Sequence, residues 1–237
     1  MKNSKALYGN GEFVNMKKIV ISLDKQVKGK VRIGVLQFVH LKCVRHHPEL
    51  WEAIYSLEKD YRERYGQPSD ALELLKPARR LYHNFGMEPT RYRPSSEALF
   101  RRVIKQKSLY RINSIVDVCD YCSLKFLLPI GLYDTDKIQG QVSLRLGGVG
   151  EEYDGIGKET IHVAGRLALT DEQGAFGNPS ADSLRTSIDL KSRNVLMVIF
   201  APGEYPETEM KNHCQFAHQS MLQFHPEGDL IDESVFS

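Results

Sequence analysis

Residues 111–146 read RINSIVDVCDYCSLKFLLPIGLYDTDKIQGQVSLRL, and their pattern decides the fold. The first part is helical: Ile115, Val118, Cys122 and Phe126 follow a three-four spacing, Asn113 supplies a capping side chain, and Pro129 ends the helix after Leu127 or Leu128. GLYDTDKIQG (131–140) reads as a helix-to-strand connector carrying Tyr133, Asp134, Asp136 and Lys137. From QVSLRLG onward the pattern changes to strands.

Outward from this hinge the two halves of the chain differ. Upstream, KVRIGVLQFVHLKCV (30–44) reads as a buried strand. Residues 47–66 form a helix on Leu50, Ile54, Leu57 and Tyr61, with Gly66 as its stop. Residues 69–86 open a second helix at a Ser69 cap, which Pro77 should break or kink. MEPTRYRP is an extended linker, and residues 95–107 form a helix with Leu99, Val103 and Ile104 inward and four cations outward. Downstream, TIHVAGRLALTD and NVLMVIFAP are strands separated by turn chemistry and by the polar loop FGNPSADSLRTS (176–187). Helices followed by strands argue for an α+β domain, a helical N-terminal half packed on a mostly antiparallel or mixed sheet. The expected organisation is a flexible leader over 1–15, one domain over 16–202 (helix-rich 45–128, strand-rich 138–202) and a polar C-terminal extension over 203–237. Met16-Lys17-Lys18 reads as a second start.

Composition is that of an ordinary globular chain, 41% hydrophobic and 26% charged over 237 residues. The run VLMVIFA is far too short to span a membrane, and the first residues lack the apolar core of a secretory signal, so a cytoplasmic protein is expected. Net charge is +2, unevenly spread. Residues 76–111 hold ten Lys or Arg against Glu88 and Glu97, whereas residues 112–237 hold nine basic and nineteen acidic residues. A basic segment on an acidic body suits a polyanion such as RNA, and equally a solvated helix face. The candidate RNA contacts are Arg79, Arg80, Arg91, Arg93, Arg101, Arg102, Lys105 and Arg111.

Cys119-Asp-Tyr-Cys122 has the spacing of a redox pair or half a metal site. A redox pair sits at a helix N-terminus, where the dipole favours thiolate; here the pair lies in the second turn beside Asp117 and Asp120, which disfavour it. A zinc site needs two further ligands, and only His213, Cys214 and His218 form a nearby-looking set. Two small side chains packed on a helix is the favoured reading, with no metal and no cofactor. The 176–187 loop gathers Asn178, Asp182, Ser183, Arg185 and Thr186 between two predicted strands. No phosphate-cradling glycine loop, nucleophile elbow or HExxH motif is present.

Residues 111–146, followed by TDEQGAFGNPSADSLRTS and NVLMVIF, resemble the B3/B4 domain of the phenylalanyl-tRNA synthetase β subunit. YRPSSEALFRRVIKQKSLYRIN and DSLRT look more like stand-alone proteins carrying this domain alone. The resemblance is good over about 80–202 and vaguer over 31–79. It implies an editing site, in which water attacks the ester of a mischarged tRNA and the protein positions the reactants and stabilises the oxyanion. Arg111, Asn113, Asp117, Tyr133, Asp134, Asp136 and Lys137 match the family's scaffold positions. Gly131 stands where the synthetase has His, Cys119 where it has a pocket Thr, and a residue near Val198 where it has the tyrosine-reading Glu.

The resemblance therefore implies an editing-like domain that binds the acceptor end of a tRNA, or an aminoacyl ester, and hydrolyses it, without aminoacylating activity. Asp182, Ser183 and Arg185 are the candidate catalytic residues. Asn113, Cys119, Gly131, Tyr133, Asn178 and Thr186 form the candidate pocket, and neither a membrane nor DNA is an expected partner. The alternatives are a non-catalytic RNA or small-ligand module that kept the fold, and a protein-interaction module docking through its acidic half.

Overall fold

Burial along Val31–Val39 (β2) sets the layering of the computed structural model, which describes residues 18–157 and 159–237. The expected leader over 1–15 lies outside the described residues. Leu36 and Phe38 face one core, while Val31, Ile33 and Val35 face another. Strand β2 therefore lies inside a layered structure.

Preceding it is β1 (Ile21–Leu23); the helices α1 (Pro48–Arg64), α2 (Leu72–His83), α3 (Ser95–Ile104) and α4 (Ser114–Phe126) come after it. The strands β3 (Ile130–Asp134), β4 (Val142–Leu146), β5 (Glu152–Asp154), β6 (Thr160–His162), β7 (Leu167–Asp171), β8 (Gly174–Gly177) and β9 (Val195–Pro202) complete the middle. The chain closes with α5 (Glu207–Phe224) and β10 (Asp229–Phe236). One sheet has the antiparallel order β10-β2-β9-β3. The second has the order β1-β4-β7-β8, with only β1 and β4 parallel, and β5-β6 is a separate ribbon. The fold is α+β, with mixed and antiparallel sheets.

Strand β9 shows why the layers stay together. Val195, Met197, Ile199 and Ala201 face the helices, and Leu196, Val198 and Phe200 face the second sheet. Both faces are buried, so the strand reads as an unbroken apolar run rather than an alternating one. Each of these side chains other than Ala201 contributes about 1.5–3 kcal/mol on burial.

Asn113 caps α4 as its sequence suggests, accepting the Val116 N–H at 3.1 Å. Leu127 then turns left-handed (φ 55°) and the chain enters β3 within three residues. The first part of the stretch read as a connector is thus an edge strand of the first sheet, and only Thr135–Lys137, a 3-10 turn, and the residues up to β4 connect. Pro77 does not break α2: the carbonyl it deprives of a partner belongs to Glu73 in the helix's first turn, at a solvent-exposed position. Ser69 does not cap this helix: it lies inside a 3-10 turn, Pro68–Ala71, which is capped by Gln67 and Asp70, and α2 itself starts after Ala71 without a side-chain cap.

Residues 203–237, read from sequence as an appendage, pack into the core. Met210, Cys214, Ala217, Met221 and Phe224 alternate by four and three along α5 and are buried against β2 and α4. Gly34 permits that approach, because a Cβ there would lie 2.5 Å from Cys214 Sγ. Strand β10 then pairs with β2 along its length. Polar residues interleave the apolar ones in this segment, which is why its overall polarity suggested exposure.

Candidate functional site

The pocket of chemical interest forms where one face of α4 meets the 176–187 loop and the edge of β3. Val116, Cys119 and Asp120 share that helix face. Ile130 and Leu132 line it from β3, Ile156, Asn178, Ser180, Ala181, Asp182 and Ile188 from the loops, and Ser95 and Ile112 close it. Its volume is about 270 Å³.

The loop is held rigidly. Asn178 Oδ1 accepts the N–H groups of Ser180 (2.7 Å) and Ala181 (3.1 Å), while its amide donates to Tyr153 Oη at 2.8 Å. The polar atoms of Asn178 thus shape the pocket wall instead of facing a ligand. Ser183 and Leu184 donate backbone hydrogen bonds to Phe176 and Asp154, docking the loop on β8 and β5. This sets Asp182 Oδ2 to accept the Leu132 N–H at 3.1 Å.

Two carboxyl groups therefore meet at one pocket. Burial, reinforced by the neighbouring Asp117 and Asp182, pushes the Asp120 carboxyl up to about 7. Burial also pushes Asp182 to about 7, against the opposing influence of the Tyr133 hydroxyl and the Leu132 N–H. Carboxylates so raised suit proton transfer near neutral pH. The Ser95 hydroxyl, buried at the same wall, has no hydrogen-bond partner within the protein.

Burial first, then Asp120, Asp182 and Cys122, raises the Cys119 thiol well above its usual range, and burial carries Cys122 to about 12. Both sulfurs are free and stay protonated, so neither has the thiolate that redox catalysis needs.

The remaining sequence candidates do not all converge here. Tyr133 is fully buried between the sheets, edge-on to Phe176 at 5.0 Å, with its ring over Gly131 and Gly177. A Cβ on Gly131 would lie 2.0 Å from Tyr133 Oη, and one on Gly177 2.3 Å. Gly131 therefore belongs to the packing of Tyr133 and does not line the pocket. That hydroxyl lacks a hydrogen bond of proper geometry, although the Asp182 charge, after burial, raises its pKa. Val198, cross-strand from Gly131, is also sealed between the sheets. Asn113 is occupied as the helix cap.

Of the candidate catalytic trio, Asp182 alone reaches the pocket. Ser183 and Thr186 bond each other at 2.9 Å inside the loop. Arg185 makes a bidentate pair with Asp171 at 2.9 Å, away from the cavity. Sequence reasoning missed Asp120 and Ser95. The available signal for Asp120 was its i, i+4 spacing from Val116, which places an acid beside an apolar residue on one helix face.

Several of the candidate RNA-contacting cations have internal partners. Arg79 and Arg101 both grip buried Glu97 at 2.7 Å, and these two guanidiniums outweigh burial and hold its carboxyl below the usual range. Arg80 pairs with Glu204, Arg102 lies over the Tyr110 ring, and Arg111 lies over Trp51 and Tyr55. Arg91, Arg93 and Lys105 are exposed and have no carboxylate partner among the described residues. A larger groove of about 730 Å³ beside α2 is lined by Lys76, Arg79 and Arg80, but their charges are already paired with Glu73, Glu97 and Glu204.

A helix layer on two sheets, with an acidic pocket at the helix–loop seam, defines an α+β domain. The chain matches the B3/4 domain over residues 77–207, more than half its length, and belongs to that family. It is 26% identical over 123 residues to the uncharacterized protein YhzB of Bacillus subtilis, covering 52% of this chain and 53% of that protein. It is 25% identical over 109 residues to the phenylalanine–tRNA ligase β subunit of Fusobacterium nucleatum, covering 44% of this chain and 14% of that subunit. A fragment from the N-terminus of the Pyrococcus horikoshii phenylalanyl-tRNA synthetase β subunit aligns with all of this chain and 58% of its own, at 11% identity and a TM-score of 0.46. The matched segment is thus about half of YhzB and a small part of the ligase subunit. No described helix is long and apolar enough to cross a membrane.

Proposed function

We propose that the protein is a stand-alone editing-like domain that takes the aminoacyl end of a charged tRNA, or a related small aminoacyl ester, into the Asp120–Asp182 pocket and hydrolyses it. The observation that carries this reading is the pair of carboxyl groups, each raised to about 7, at one largely apolar cavity of about 270 Å³. An α-ammonium group complements ionised Asp120, and Ile112, Val116, Ile130 and Ile188 receive the side chain. The cavity has room for one amino-acid residue. A cytoplasmic site of action belongs to the same reading.

In this scheme Asp182, oriented by the Leu132 N–H, removes a proton from water as the water oxygen attacks the ester carbonyl carbon. The Ser95 hydroxyl, free of protein partners, donates to the oxyanion that forms. Collapse breaks the bond to the ribose oxygen, which takes up the proton held by Asp182. The products are the free amino acid and a free ribose hydroxyl.

A panel of tRNAs charged with different amino acids, assayed for deacylation, tests the reading. Release above background for at least one, abolished by Asp182→Asn, is the expected result. Binding without release across the whole panel would instead establish a non-catalytic module. Gly131, in the place of the family's His and covered by Tyr133, is the observation that favours this second reading.

A further inference from the structure

On the other side of the Asn178–Ala181 wall lies a second cleft, also about 270 Å³, formed by the 87–93 linker and the strands around 159–167. Arg91, Arg93 and Arg166 line it, with Glu159 as the one lining carboxylate. None of the three guanidiniums has a carboxylate partner among the described residues. Those of Arg91 and Arg166 both lie over the Tyr92 ring, at 5.2 and 3.8 Å from its centroid. The floor is fixed, because Tyr82 Oη bonds Ser180 Oγ at 2.6 Å and Asn178 is fully engaged. Three cations facing a single carboxylate that pairs with none of them repel one another, and an anion placed among them offsets that repulsion while accepting their hydrogen bonds.

We propose that this cleft is a phosphate-binding subsite for a nucleotide, with Arg91, Arg93 and Arg166 holding the phosphate. It shares Asn178, Ser180 and Ala181 with the acidic pocket. One molecule bearing an amine at one end and a nucleotide phosphate at the other would therefore engage both walls of the same loop. The subsite stands on its own charges and does not require that the acidic pocket be hydrolytic.

Titration calorimetry at low salt with AMP and with adenosine tests it. AMP is expected to bind, with adenosine at least about tenfold weaker, and added salt should weaken AMP. Arg93→Gln and Arg166→Gln should each reduce AMP affinity roughly five- to tenfold. If Arg166→Gln fails to fold by circular dichroism, exposed Arg93 carries the test. A single-stranded RNA hexamer separates the sources: tighter binding than AMP with a steeper salt slope assigns the site to an RNA backbone, and equal or weaker binding assigns it to a free nucleotide. No binding of either ligand up to about 10 mM, or unchanged affinity in both arginine variants, overturns the proposal. Asp182→Asn separates it from hydrolysis, since that variant should lose ester turnover and retain AMP.

Discussion

Asp182 Oδ2 accepts the backbone N–H of Leu132 at 3.1 Å, which ties the 176–187 loop to an edge strand and turns one carboxylate toward the pocket. Strand β3 lies at the rim of its sheet, so this N–H has no ladder partner on its outer side. The loop supplies the partner, and the carboxylate is oriented by the same bond that closes the sheet edge.

If Asp182 is the base, Asp182→Asn should lower deacylation about 100-fold or more while leaving the fold intact. The wild-type rate should rise with pH through about 7, as its carboxyl ionises. Asp120→Asn should instead raise KM with a smaller effect on kcat, since it removes the partner of the substrate ammonium. Single-turnover assays between pH 5 and 9 separate the two; a pH-independent rate would refute the assignment.

The same groups govern stability in the opposite sense from most acids. Asp120 ordinarily titrates near 3.8 and in the fold near 7, so between these values the folded state holds a proton that the unfolded state has lost. Its contribution therefore falls as pH rises from about 4 to 7, and the full penalty applies above that. Allowing for solvent in the open pocket, Asp120→Asn should gain roughly 1–2 kcal/mol at pH 8 and nothing at pH 4, read from urea midpoints.

Glu97 is 1% exposed and holds two arginines. Glu97→Ala should destabilise the protein by about 3–5 kcal/mol, because it leaves partly buried guanidiniums without a counter-charge. Thermal melts of Glu97→Ala and Arg79→Ala, singly and together, should be strongly non-additive.

Restoring a side chain at Gly131 should not restore a family-like site. Gly131→Ala places a methyl 2.0 Å from Tyr133 Oη in a sealed layer, and should cost about 1–3 kcal/mol. Gly131→His should be worse, with insoluble expression the expected outcome.

Deleting residues 204–237 should also prevent folding, since it removes α5 and β10 and exposes Leu36 and Phe38. A truncated chain that retains a cooperative melt would contradict this.

The α4 helix, its Asn113 cap, the α+β order and the basic segment were all legible in the sequence, because capping chemistry and the 3.6-residue period act locally. The edge strand β3 was not, since a five-residue run after Pro129 has no period that distinguishes strand from connector. Periodicity tells which face of an element is buried, not what lies against it. Only the tertiary structure brought Asp120 of the helix to Asp182 of a distant loop, diverted Arg79 and Arg101 to Glu97, and sealed Tyr133 over Gly131. Those outcomes depend on long-range strand register and on the low-dielectric pocket that register creates, and no local stretch of the chain encodes either.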